Sequence, residues 1–216
     1  MSLLELNDFE KLRSENCMVI DTRPSEIFSE GFIKESVSVP LNESFIDTLN
    51  DFFQEEQPLL FLAEEKSEEE LIKKLLEAGR SGTKGILKGG FYLWKNSGKK
   101  TDMLILIDAD EFAMDYQYDE FFLLDVRNKE AFNEEHAEDA ENILLAEIEN
   151  ALIEMDESAL YYIYGDGISK SITAASFLKQ SGFERVRVLN GSFGDLKKTN
   201  IPLIKKKKEE KPFNKN

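Results

Sequence analysis

The chain repeats itself at about half its length, and a repeat of that size settles the architecture before any single element is assigned. In the first half an apolar run ends in Asp-x-Arg, MVIDTRPSEIF at Met18 to Phe28; in the second the pattern returns as LLDVRNKEAF at Leu123 to Phe132. Asp21, Arg23 and Phe28 correspond to Asp125, Arg127 and Phe132 at one offset of 104 residues. Each half goes on with a second apolar run, PLLFLA from Pro58 and ALYYIY from Ala159, followed by a polar loop and a helical segment that ends at Gly79 or Gly182, offset by 103. Each closes with an apolar strand and a glycine turn, ILKGGFYLW at Ile86 to Trp94 and VLNGSFGDL at Val188 to Leu196, where Phe91 and Phe193 lie 102 residues apart. An offset that drifts by only two residues over a whole unit marks a duplication. The 216 residues therefore divide into two domains of ordinary size, each big enough for its own core.

The first helix carries clear local signals. Ser67 stands at an N-cap position with Glu70 placed for a capping box, Glu68 and Glu69 suit the positive end of the helix dipole, and Gly79 suits a left-handed C-terminal residue. Leu71, Ile72, Leu75 and Leu76 form an apolar stripe, and Ile172, Ala175 and Leu178 or Lys179 give a weaker version before Gly182. Strands alternating with helices predict an α/β fold in which each domain has a parallel sheet with helices on both faces. NSGKKTD, Asn96 to Asp102, reads as the connection. The expected division is 1–100, 101–204 and a charged flexible tail at 205–216 that includes the basic run Lys205 to Lys208.

A net charge of -16 argues against a nucleic-acid partner, because phosphate binding needs lysine and arginine clustered on one face. No run is apolar and long enough to cross a membrane, and MSLLELNDFEKLRSEN lacks the pattern of a secretory leader, so a cytoplasmic location is expected. One cysteine, Cys17, and one histidine, His136, cannot make a disulfide or a Cys/His zinc site, and no metal or cofactor is implied.

Asp-x-Arg after the first strand, a strand, loop and helix in the middle, and Gly-Gly-Phe-x-x-Trp near the end resemble the rhodanese family, and each half resembles one full rhodanese-like domain. The stretch PLLFLAEEKSEEELIKKLLEAG with GILKGGFYLWKNSGK, and a second half running to SFGDLKKTNIP, further resemble the tandem found in some bacterial metallo-β-lactamase-fold/rhodanese fusions; no hydrolase-like histidine cluster is present here. The resemblance implies sulfur transfer through a cysteine thiolate in a loop of the form Cys-x-x-Gly-x-Arg-Ser, with amide groups stabilising the persulfide. It sets that loop on Gly165, Asp166, Gly167, Ile168, Ser169, Lys170 and Ser171. Gly165 takes the cysteine's place, Ile168 the glycine's and Lys170 the arginine's. The first-half loop, Leu62 to Ser67, has no sulfur either.

Cys17 is an alternative nucleophile, but it precedes Asp21 by four strand residues, about 13 Å at the usual rise, and reads as a small buried hydrophobe. GDGISKS as a phosphate loop lacks the glycine before Lys170 and puts Asp166 where a phosphate would lie. Asp21 with Arg23 and Asp125 with Arg127 read as structural pairs, each arginine able to hold a glutamate such as Glu26 or Glu130. His136 reads as a loop-packing or exposed side chain, and Trp94, Phe52-Phe53, Phe121-Phe122 and Tyr161-Tyr162 as core or interface packing. The expectation is a catalytically inactive tandem that binds or regulates a protein partner, with a metallo-β-lactamase-fold hydrolase or a sulfur-trafficking protein as candidates. The alternative is a sulfurtransferase that uses Cys17 or a hydrolase supplied in trans.

Overall fold

The structure, a computed structural model, describes residues 2–118 and 120–206. The first unit runs β1 (Leu3–Leu4), α1 (Leu6–Ser14), β2 (Met18–Asp21), α2 (Ser25–Glu30), β3 (Phe32–Ile33), β4 (Val37–Ser38), α3 (Phe45–Phe52), β5 (Leu59–Leu62), α4 (Glu68–Glu77), β6 (Thr83–Leu87), α5 (Gly90–Asn96) and β7 (Thr101–Asp102). The second repeats that order as β8 (Ile105–Ile107), α6 (Ala109–Asp115), β9 (Phe122–Asp125), α7 (Lys129–Glu134), β10 (Glu135–Ala137), β11 (Ala140–Asn142), α8 (Ile148–Ala151), β12 (Tyr161–Tyr164), α9 (Ile168–Gln180), β13 (Val186–Leu189), α10 (Phe193–Leu196) and β14 (Leu203–Lys205). Each unit is a five-stranded sheet in which every pairing is parallel, ordered β1-β6-β5-β2-β4 and, in the second, β8-β13-β12-β9-β11. Helices flank both sheets, as the alternation of strand and helix requires.

The central strands β5 and β12 are buried along their whole length, which explains why LLFL and YYIY read as unbroken apolar runs. The short ribbons β3–β7 and β10–β14 are antiparallel and escaped the sequence reading, because two or three residues carry no usable period. Part of the expected connection, Thr101 and Asp102, is thus a strand laid against Phe32 and Ile33. The structural repeat turns over between Asp102 and Ile105. Lys205, first of the basic run, pairs through Nζ with Glu135 Oε1 at 2.8 Å, and residues 207–216 of the expected tail lie outside the described part.

Two details of α4 differ from the sequence reading. Ser67 occupies the N-cap position but has helical angles and makes no side-chain cap. Its amide bonds back to Glu64 O at 3.1 Å in a turn that puts Lys66 at φ 76°, so the hydroxyl is not set above the free amides. Leu76 is 63% exposed, and the buried stripe is Leu71 and Leu75 with Ile72 beside them. At the other end Gly79 has φ 67°, the left-handed turn glycine permits.

The counterpart of α4, helix α9, is buried on all sides from Ser171 to Leu178, the signature of a helix covered by more than its own sheet. Its outer face packs on β4 and α2 of the first unit. Phe177 stacks on Phe52 of α3 with ring centroids 4.9 Å apart. Ser176 Oγ accepts the Ser38 amide at 2.9 Å, so a hydroxyl from the second unit satisfies the open edge of the first sheet. Residues of both units join in a single apolar cluster, including Ile20, Phe61, Ile163 and Ile172.

Candidate functional site

In an open parallel sheet, ligands lie beyond the carboxyl ends of the strands. There the two units present matching frameworks. Asp21 Oδ1 accepts from Arg23 N at 3.1 Å and Nε at 2.9 Å, Oδ2 accepts from Nη2 at 2.6 Å, and Nη2 also donates to Gly31 O at 2.8 Å. Asp125 and Arg127 repeat this, with distances of 2.9, 3.0 and 2.6 Å and Glu135 O as the carbonyl at 2.8 Å. The arginine partners are therefore the aspartates two residues earlier and a carbonyl beyond, in place of the expected Glu26 and Glu130. The aspartate terminates a strand and the chain curls back at once, so its own arginine reaches it in a two-point grip. Burial raises the Asp21 carboxyl, with the Arg23 bonds opposing; burial alone would lower the Arg127 guanidinium, but its bonds to Asp125 raise it instead.

Each arginine is also covered by the phenylalanine of the closing turn. The Arg23 guanidinium carbon lies 4.1 Å from the Phe91 ring centre, and that of Arg127 lies 3.8 Å from Phe193. This contact joins the first and last motifs of each repeat. Its only trace in the sequence is that Phe91 and Phe193 recur at nearly the offset of the arginines.

The loops between these frameworks differ. The registers of β2 with β5 and of β9 with β12 put Leu62 opposite Asp21 and Tyr164 opposite Asp125, so Ala63 and Gly165 are equivalent. In the first unit the loop turns at left-handed Lys66, and a cavity of about 780 Å³ opens among Arg23, Ala63, Glu64, Glu68, Phe91 and Tyr92. In the second, Gly167 is extended and Ile168 already opens α9, packing against the core. Gly165 is buried, and its carbonyl accepts the Phe193 amide at 2.8 Å. Ser169 meets Ser25 across the units, hydroxyl to hydroxyl at 3.0 Å, at a separate cavity of about 310 Å³. Lys170 is exposed and its charge acts on Asp51 of α3; Asp166 is exposed, and Ser171 is buried with Oγ 3.4 Å from Gly167 O.

The remaining candidates lie apart from these loops. Cys17 is 7% exposed before β2, packed with Phe9, Val19 and Trp94, and burial raises its thiol pKa. His136 lies in β10, stacked on Phe132 with Nδ1 2.7 Å from Phe132 O. Trp94, Tyr161 and Tyr162 are core residues, whereas Phe122 is 45% exposed. Among the described residues no group of three or more His, Cys, Asp or Glu could hold a metal, and no helix is long and apolar enough to cross a membrane.

A family model for the rhodanese-like domain matches residues 5–97 and again 108–199. An uncharacterised protein of Buchnera aphidicola subsp. Acyrthosiphon pisum is 32% identical over 111 residues, 49% of this chain and 73% of that one. Among solved structures, the Alr3790 protein of Anabaena is 26% identical over 46% of this chain and 91% of its own, with a TM-score of 0.43. A thiosulfate sulfurtransferase from Pseudomonas aeruginosa is 14% identical over 96% of this chain and 44% of its own, also with a TM-score of 0.43.

Proposed function

The chain belongs to the rhodanese-like domain family, with one such domain in each half, and on that premise we propose that it is a non-catalytic tandem that binds or regulates a protein partner. One observation carries this reading: the residues that follow the central strands β5 and β12, where the resemblance sets the nucleophile, are Ala63 and Gly165. Sulfur transfer by this family proceeds through a thiolate, which neither residue can supply. Cys17 sits at the amino end of β2, about 13 Å along the strand from the carboxyl edge. Its burial raises the thiol pKa, which disfavours the thiolate that transfer requires. The likeness of the pair to the tandem of certain fusions makes a separate metallo-β-lactamase-fold hydrolase, or a sulfur-trafficking protein, a partner to try first.

The test is sulfur transfer from thiosulfate and from mercaptopyruvate to cyanide or a thiol. Turnover no greater than the enzyme-free background is the expected result. A stoichiometric persulfide on Cys17, with turnover that disappears in Cys17→Ser, overturns the proposal in favour of a sulfurtransferase.

A further inference from the structure

We infer that the cleft at the carboxyl edge of the first sheet docks a basic peptide segment of a partner protein, an inference that builds on the non-catalytic reading by naming what its binding site takes. The cleft holds about 780 Å³, ample for one long side chain with the backbone on either side of it. On its floor Arg23, only 6% exposed, spends Nε on Asp21 and Nη2 on Asp21 and Gly31 O. Nε and Nη2 carry all the bonds of this side chain among the described residues, and Arg23 lines the cleft. Because Asp21 already neutralises this arginine, the floor adds no free positive charge to the cleft.

The rim selects the ligand. Glu30, Glu64, Glu65 and Glu68 surround the opening against one outer cation, Lys95. Glu68, Glu69 and Glu70 fill the first turn of α4, so their own carboxylates take up the helix dipole that would otherwise favour an anion. Tyr92, 79% exposed, and Ile27, 42% exposed, supply an aromatic face and an apolar flank for the stem and head of an arginine. The second domain has Asp166, Gly167, Lys170 and Gly194 where the first has Glu64, Glu65, Glu68 and Tyr92, so this combination belongs to the first domain alone.

The experiment uses the full chain and a fluorescein-labelled arginine–glycine peptide, followed by anisotropy against a glutamate–glycine peptide of equal length. The arginine peptide is expected to bind and to weaken with added salt. The double variant Glu65→Lys/Glu68→Lys should weaken it about tenfold, equal to about 1.4 kcal/mol. Tyr92→Ala should weaken it severalfold, and the remote Glu154→Lys should leave it unchanged. Absence of binding, equal binding of the acidic peptide, or cleft variants no different from Glu154→Lys would each refute the docking site. Thiosulfate turnover, measured on the same sample, reports separately: turnover with specific peptide binding overturns only the non-catalytic reading, and no turnover with no binding overturns only this one.

Discussion

The loops after β5 and β12 hang from nearly identical frameworks and end in opposite states. Both are flanked by an aspartate–arginine grip under a phenylalanine, built at matching distances. The first loop keeps a left-handed residue, Lys66, and faces an open, acid-rimmed cleft. The second passes at once into α9, which is clasped between both domains, with Ser169 against Ser25 and Phe177 against Phe52. One copy thus leaves its loop beside an open cleft, while in the other the loop leads into a helix packed against both domains. Each copy keeps the framework while the loop it carries has a different environment.

If α9 serves both domains, damage to it must be felt in the first. Phe177→Ala removes a ring that is 5% exposed and leaves a cavity against Phe52 and Phe53, a change that typically costs about 3–5 kcal/mol. The single tryptophan, Trp94, lies in the first domain and reports that domain's unfolding. Denaturant unfolding followed by Trp94 emission should shift to lower midpoint in Phe177→Ala, in step with far-ultraviolet circular dichroism. An unchanged Trp94 transition would show that the first domain folds independently and that α9 is a part of the second alone.

How much of this contrast could be read from the chain follows from the range of each interaction. The parallel sheets, the glycine that ends α4 and the duplicated Asp-x-Arg were legible because they depend on residues close in sequence or on the repeat itself. The environment of α9 was not. Ser169, Thr173 and Ser176 look like an outward polar face, and only a neighbouring domain explains why Thr173 and Ser176 are buried there. The glutamates proposed for Arg23 and Arg127 were the wrong partners because charge and proximity along the chain cannot reveal how sharply a strand end turns. The missing cysteines, in contrast, were plain in the sequence, whereas the cleft that gathers Glu30, Glu64, Glu65 and Glu68 appears only in the fold.

Restoring a cysteine sharpens the comparison at the next level of effect. An ideal Cβ on Gly165 lies 3.1 Å from Ser171 Oγ and 3.2 Å from Val126 Cγ2, so Gly165→Cys must push on a packed site, at about 1–3 kcal/mol. Ala63→Cys adds a sulfur to a Cβ that is already accommodated, and should be the more stable variant by denaturant melting. Neither is expected to yield efficient transfer. In the first domain the new thiol adjoins Glu64 and Glu65, which disfavour a thiolate. In the second, Ile168 starts the helix at the position where the resemblance expects a glycine, so Ile168→Gly and Lys170→Arg should help Gly165→Cys more than additively. Thiol pKa from alkylation rates, with thiosulfate turnover, checks this. A Gly165→Cys single variant as active as the triple would mean that the second loop has kept a working shape.

The smallest expected effect concerns how the closing turns are held. In the first domain Gly90 has φ 54°, and a Cβ there would lie 2.8 Å from Ala63 O, so glycine and close backbone approach shape the entry to α5. The second domain puts Ser192 at the equivalent place and secures α10 with a capping box, Asp195 Oδ2 accepting from the Ser192 amide and hydroxyl at 2.9 Å each. Ser192→Ala should therefore cost about 1 kcal/mol. Lys198 first, then the Ser192 donors, lower the Asp195 carboxyl from 3.8 to about 2. A carboxyl lowered by folding contributes stability above its unfolded pKa and loses it as pH falls through the folded value. The stability difference between the protein and Asp195→Asn should accordingly be constant above about pH 4 and close as the pH approaches 2, with the part due to exposed Lys198 reduced by salt. Carboxyl NMR titration of Asp195 measures the midpoint directly. A value near 3.8 would show that the box is not formed in solution, leaving the second closing turn held by the buried Phe193 and Leu196 and by the contact of Phe193 with Arg127.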